Sequence, residues 1–343
     1  MLVGALLALA SCNRSPEWKI LPLPVLPDAT IQLRAAYVFN PRFPPIPPAQ
    51  QQAILDKTEQ LVLQHFGLAI AFAAQRDALP IEDFFRNRTE TVRREGETQM
   101  LRLDNISPQQ HARLRASIYQ TLQNYEDRRE QVMRFARPYL TRPVEGTDFH
   151  QLAAALTDTL LARLQGWREQ AAQDGKPVLD GSPYNEWVWW DTLGYGDIPY
   201  DVVLTNQLVA SAEFYGMDVH SSLRGGITAG TTAYSRQAQF RAYSWVSLYP
   251  LLNDTPLLQQ LRGDAHYSEQ QITDYAAAIL THELGHLLLH LSHPFGKPAC
   301  IMSPMPLLKY REWFEALNAE QCPPGSDPLM TPGAAAIEYR ANW

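Results

Sequence analysis

The 343-residue chain is poor in cysteine and in charge, and its body holds no long apolar run. Charged residues make up 19%, and the formal net charge is −7, with 29 Lys and Arg against 36 Asp and Glu. Without a basic surplus there is no electrostatic footprint for a nucleic-acid backbone, so no nucleic-acid partner is expected. Beyond the first ten residues nothing approaches the roughly 20 consecutive apolar residues that a membrane-spanning helix needs. Three cysteines permit one intramolecular disulfide at most, so an apolar core has to carry the fold. The length suffices for one large domain or two modest ones.

What the chain does have begins at its first residues. Met1–Ala10 is almost wholly apolar, too short to span a bilayer, and leads into Leu9-Ala10-Ser11-Cys12. A small-residue site closing on cysteine resembles the bacterial lipobox, although no basic segment precedes it. The resemblance implies that residues 1–11 are a signal peptide and that Cys12 is diacylated and becomes the N-terminus. The partner is then a membrane surface, reached through a lipid anchor. Asn13 resembles the position after the cysteine in lipoproteins of the outer membrane, which implies a place in the bacterial cell envelope, facing the periplasm. In that oxidising compartment the remaining pair, Cys300 and Cys322, suggests a disulfide, with free buried thiols as the other reading.

Residues 12–48 are proline-dense and read as an extended tether, with enough apolar residues for part of it to pack on the body. Residues 49–177 read as a mainly helical region. It comprises a helix over 49–67, a strand over 68–74, a hairpin-like pair around Glu95-Gly96, a helix from Ser107-Pro108 to about Arg137, and another over Phe149–Gln173. The character changes at about Val178, where residues 178–343 are taken as a second unit. Trp187, Trp189 and Trp190 there read as core packing or as a cleft wall. Strands are expected over 201–210, within the glycine- and β-branched-rich stretch 224–232, and over 240–249. His220 and His266 lack partners at ligand spacing and are assigned to surface or loops.

The densest chemistry is His282-Glu283-Leu284-Gly285-His286. On a helix, two histidines four residues apart project from one face and can share one Zn²⁺, with Glu283 beside them as a general base and not a ligand. Ile272, Tyr275, Ala276, Ile279 and Leu280 recur at helical spacing before the motif, and Ser268-Glu269-Gln270-Gln271 reads as a capping box. A catalytic zinc takes three protein ligands and leaves one position open. On a straight helix His290 and His293 would lie ~12 and ~16 Å along the axis from His282, so the chain has to turn back before either can join. Pro294 disfavours helix at His293 and Gly296 follows, so the helix should end near 290–292. His293 is therefore the first choice for third ligand and His290 the alternative, which otherwise reads as a helix-terminal residue complementing the dipole.

HELGH, a later histidine and Cys300-Ile301-Met302 together resemble the metzincin clan of zinc peptidases, archaemetzincins in particular. The resemblance covers roughly residues 200–322 and is specific over the last forty or so. It implies an α+β zincin domain with a mixed sheet, a zinc helix and a methionine turn. By it, Met302 packs its thioether under the metal, and an antiparallel edge strand before the zinc helix pairs with substrate backbone. The family carries a glycine at the position of Leu289 and its third histidine at that of Ser292, so this chain departs at both. It also lacks the family's extra cysteines for a second zinc, and a Cys300–Cys322 bridge would brace that segment instead. Within zinc peptidases, Glu312 or Glu315 is the rival third ligand, as in gluzincins.

These readings lead to a zinc endopeptidase acting on protein or peptide substrate, with Glu283 as general base and His282, His286 and His293 as ligands. Tyr310 is the weak candidate for stabilising the developing oxyanion. The alternative is a membrane-tethered binding or scaffold module whose zinc is structural or vestigial.

Overall fold

In the computed structural model of the protein the described residues are 30–73, 77–86, 106–180, 185–196, 198–211, 217–234, 240–263 and 266–335. The lipobox-like segment with Cys12 and the hairpin expected around Glu95-Gly96 lie outside them. Two strands, β1 (Ile31–Leu33) and β2 (Ala35–Phe39), lead into α1 (Pro48–Phe66), β3 (Ile70–Phe72) and β4 (Asp77–Pro80). After a single helical turn (Ile81–Phe84) come three longer helices: α2 (Pro108–Gln123), α3 (Arg129–Ala136) and α4 (Phe149–Arg168). Then come α5 (Glu186–Tyr195), β5 (Val202–Thr205), β6 (Val209–Ala210), α6 (Val219–Leu223), β7 (Ile227–Thr228), β8 (Gly230–Ala233) and β9 (Tyr243–Ser247). The chain continues through α7 (Pro256–Arg262), α8 (Glu269–Leu289) and α9 (Tyr310–Ala316). No described helix is long and apolar enough to cross a membrane.

The central sheet has five strands in the order β4-β2-β5-β9-β8, parallel except for the antiparallel pair β8/β9. Helices and a mixed sheet thus share one body, which is the coarse part of the α+β expectation. Alternation along each strand splits the side chains between two faces. Tyr37, Leu204 and Val246 are in register and pack with α1 and α8. Val38, Val203 and Trp245 point the other way, to Val188, Trp189 and Leu193 of α5. Covered on both faces, β5 and β9 are buried along their whole length, as parallel strands under helices should be.

Several boundaries differ from the sequence reading, each for a tertiary reason. The expected tether enters the body: β2 lies between β4 and β5, Phe43 and Ile46 are buried, and the Ile46 N–H donates to Tyr37 Oη at 3.1 Å. Residues on either side of position 178, such as Leu114, Leu156, Leu204 and Leu284, belong to one apolar cluster. The helix expected from 107 to 137 stops at Gln123. Tyr125 there turns its ring edge-on to Phe295 at 4.9 Å, and Arg128 pairs with Asp327 at 2.8 Å. The strand expected over 201–210 is interrupted because the Asn206 amide turns inward, accepting from Asn40 N–H at 2.7 Å and donating to the Asn40 and Pro44 carbonyls at 3.0 Å. The tryptophan cluster sits on a helix the sequence reading missed, α5, capped by Asn185 Oδ1 accepting from Trp187 N–H at 2.9 Å. Trp189 is fully buried against Trp245, Phe84 and Phe85. Trp187 and Trp190 stack at 4.6 Å and keep some exposure.

Candidate metal centre

Helix α8 begins with the reciprocal capping box: the Gln271 N–H donates to Ser268 Oγ at 3.3 Å, and the Ser268 N–H to Gln271 Oε1 at 2.9 Å. Its next turns, Tyr275 to Leu280, are buried all round, between α1 on one side and β8 and β9 on the other. This packing holds the last two turns, which carry His282, Glu283 and His286. The helix ends at Leu289, and His290 adopts a left-handed conformation (φ 49°, ψ 43°). The Leu291 N–H then reaches back to the Gly285 carbonyl at 3.2 Å, and the chain reverses.

That reversal brings His293 back to the helix. The Nε2 atoms of His282, His286 and His293 lie 3.0–3.2 Å from one another. They are the one group of histidine, cysteine and carboxylate side chains, among the described residues, placed to hold a metal ion. The orientation of two rings is set from behind. His282 Nδ1 stands 2.8 Å from the Ile301 carbonyl, and His286 Nδ1 stands 2.6 Å from the Leu291 carbonyl. A ring nitrogen facing a carbonyl has to donate, so both Nδ1 carry hydrogen and both Nε2 present bare lone pairs. Burial pushes the His282 and His286 pKa values down, to about 3 and about 4, and drives that of His293 well below the ordinary range. With His293 in the same tautomer, three converging lone pairs repel one another unless a cation sits between them. Tetrahedral Zn–N bonds of about 2.0–2.1 Å set ligand nitrogens ~3.3 Å apart, close to the spacing found here.

Glu283 sits beside the trio and is buried. Thr232 Oγ1 of the edge strand β8 lies 2.8 Å from Glu283 Oε2 and 2.7 Å from Ser244 Oγ, which forms a hydroxyl chain onto the carboxylate. A Cβ at Gly230 would stand 2.7 Å from Glu283 Oε1, so the absence of a side chain there makes room for the carboxylate. Burial raises the Glu283 pKa to about 8, and the Thr232 hydrogen bond works against that rise. Met302 is fully buried below α8. A Cβ at Gly285 would overlap its sulfur and stand 2.8 Å from Phe66 Cζ, so the glycine of the HELGH run lets this segment close on the helix. Cys300 and Cys322 form a disulfide that ties the start of the same segment to the chain beyond α9.

Other expectations are corrected. His290, the alternative ligand, is outside the trio, because its left-handed backbone turns the ring away to stack on Tyr234 at 4.6 Å. Glu312 and Glu315 are exposed on α9 and do not join the cluster. Tyr310 is fully buried in the core, stacked on Tyr275, so it is no oxyanion candidate. His266 is exposed and faces Asp254 Oδ2 at 2.6 Å. His220 is half-buried on α6: its ring stands edge-on to His293 at 5.1 Å, with Nδ1 buried and unpartnered among the described residues. Sequence reasoning also missed Thr232, Ser244 and Glu186. For Thr232 and Ser244 the only signal was strand-like alternation, which says which residues share a face and not what they meet, and Glu186 on α5 carried none. Comparison with protein-family models, curated proteins and solved structures finds no match for the chain.

Proposed function

We propose that the chain is a zinc-dependent endopeptidase, with the metzincin-like architecture that the HELGH and Cys-Ile-Met motifs resemble. The observation that carries this reading is the convergence of three histidine Nε2 atoms within 3.2 Å, beside a buried carboxylate that is no part of the triad. Zinc held by His282, His286 and His293 would act as a Lewis acid on the scissile carbonyl and lower the pKa of water to around 7. Glu283 then takes the proton of the attacking water and delivers it to the leaving amine. Thr232 orients that carboxylate, and Gly230 keeps space for it. Strand β8, partly exposed and at the edge of the sheet among the described residues, is placed to pair with an extended peptide. A carboxylate beside an open three-histidine site also separates this reading from a structural-zinc scaffold, which has no use for a base there. Lipidation at Cys12 and a place at the periplasmic face of the outer membrane belong to the same proposal, and fatty-acid labelling of the Cys12→Ser variant against wild type tests them.

The test is zinc content and casein hydrolysis on wild type, His293→Ala, His290→Ala and Glu283→Ala. One zinc per chain should be lost with His293 and kept with His290, with hydrolysis following the metal. Glu283→Ala should keep zinc and lose hydrolysis by about 10²–10⁴-fold. Zinc surviving in His293→Ala, or full activity in Glu283→Ala, sinks the reading.

A further inference from the structure

We propose that His220 is a further catalytic residue of this centre, donating a hydrogen bond to the anionic oxygen that develops on the substrate carbonyl. The inference rests on the peptidase reading. It starts from a ring at 5.1 Å and 85° to that of His293 that is nevertheless outside the metal-binding trio. Its Nδ1 is sealed in the protein with no hydrogen-bond partner, while the residue as a whole keeps some surface. With Nδ1 enclosed, Nε2 is the ring nitrogen this proposal assigns to the substrate.

The backbone that carries His220 is held from both sides. The Arg224 N–H donates to the His220 carbonyl at 3.2 Å. The buried Arg224 guanidinium donates to the Leu307 and Met305 carbonyls, both at 2.7 Å, which clamps α6 to the segment following Met302. Trp167 Nε1 of α4 donates to the Arg224 carbonyl at 2.8 Å, so the helical region upstream fixes the same turn. A donor fixed before the reaction and aimed where charge develops is the arrangement that stabilises an oxyanion without reorganisation. Tyr310 cannot take that role, since it lies fully inside the core.

The experiment uses the full chain loaded with zinc, as wild type, His220→Ala and His220→Gln. Zinc per chain, kcat and KM on a peptide substrate, and calorimetric Kd for a phosphinic pseudopeptide are measured on each. The phosphinate carries two oxygens in tetrahedral geometry. In His220→Ala, zinc should stay at one per chain, kcat should fall about 100-fold and KM should hold within about twofold. The phosphinate Kd should weaken at least about tenfold, and His220→Gln, whose amide can donate, should recover part of both losses. Unchanged kcat and Kd in an active protein overturn the role of His220 and leave the peptidase reading intact. Loss of zinc in both variants overturns it too, because His220 would then support the ligands. A wild type that binds zinc and the phosphinate but cleaves no peptide sinks the peptidase reading, and the variant affinities still decide whether His220 meets the tetrahedral oxygen.

Discussion

Strand β8 holds a glutamate on each face of the sheet, and the two have opposite surroundings. Thr232 faces Glu283, and the adjacent Thr231 faces Glu186, because neighbouring residues on a strand point to opposite sides. Both carboxylates have raised pKa values for the same first cause, burial. Around Glu186 stand the hydroxyls of Thr231, Ser211 and Thr228, each hydrogen-bonded to it. Around Glu283 stand one threonine and three converging imidazoles. A buried, perturbed carboxylate is therefore no sign of chemistry by itself. What separates the two is whether the neighbours leave a place for a reacting group.

That contrast can be broken by substitution. Glu283→Gln should lower kcat by about 10²–10⁴-fold while zinc is retained, whereas Glu186→Gln should leave kcat within about threefold. Equal losses in steady-state kinetics would show that the two carboxylates act together. Gly230→Ala adds a Cβ 2.7 Å from Glu283 Oε1, and misplacing the base should cost about 10- to 100-fold in kcat with little change in stability. Thr232→Val should cost about tenfold in kcat, since the carboxylate loses its orienting donor. Thr231→Val should instead cost about 1–2 kcal/mol in urea denaturation and spare kcat. The smallest effect is a pH dependence. Because the folded protein raises the Glu186 pKa, it binds that proton more tightly than the unfolded chain does. The stability this contributes is full below the unfolded glutamate value and is lost as pH rises through the folded one. Glu186→Gln cannot ionise, so its Tm should gain on wild type as pH rises above the ordinary glutamate range. A Tm difference flat with pH would mean that the hydroxyls fully offset burial.

Parts of the centre were legible without coordinates because they are local. The capping box, the apolar stripe of α8 and the one-turn spacing of His282 and His286 depend only on helical geometry. Pro294 and Gly296 announced that the helix must stop before His293. The helix ends at Leu289, His290 takes the left-handed turn, and His293 is the histidine that returns to the trio. His290 and His293 could not be told apart from spacing, since a non-glycine residue in the left-handed region carries little advance signal. His220 and Glu186 were invisible for a different reason: each meets its partners only across elements far apart in the chain.

By itself the sequence determined a capped, buried helix bearing two histidines and a glutamate, a break after it, and a candidate third histidine beyond the break. Those follow from dihedral preferences and residue periodicity, which act over a few positions. Only the tertiary structure decided which later histidine returns to the helix, which threonine steadies Glu283, and that His220 stands beside His293. Those are matters of how a sheet edge, a reversed chain and a clamped turn pack together, and no local rule contains them.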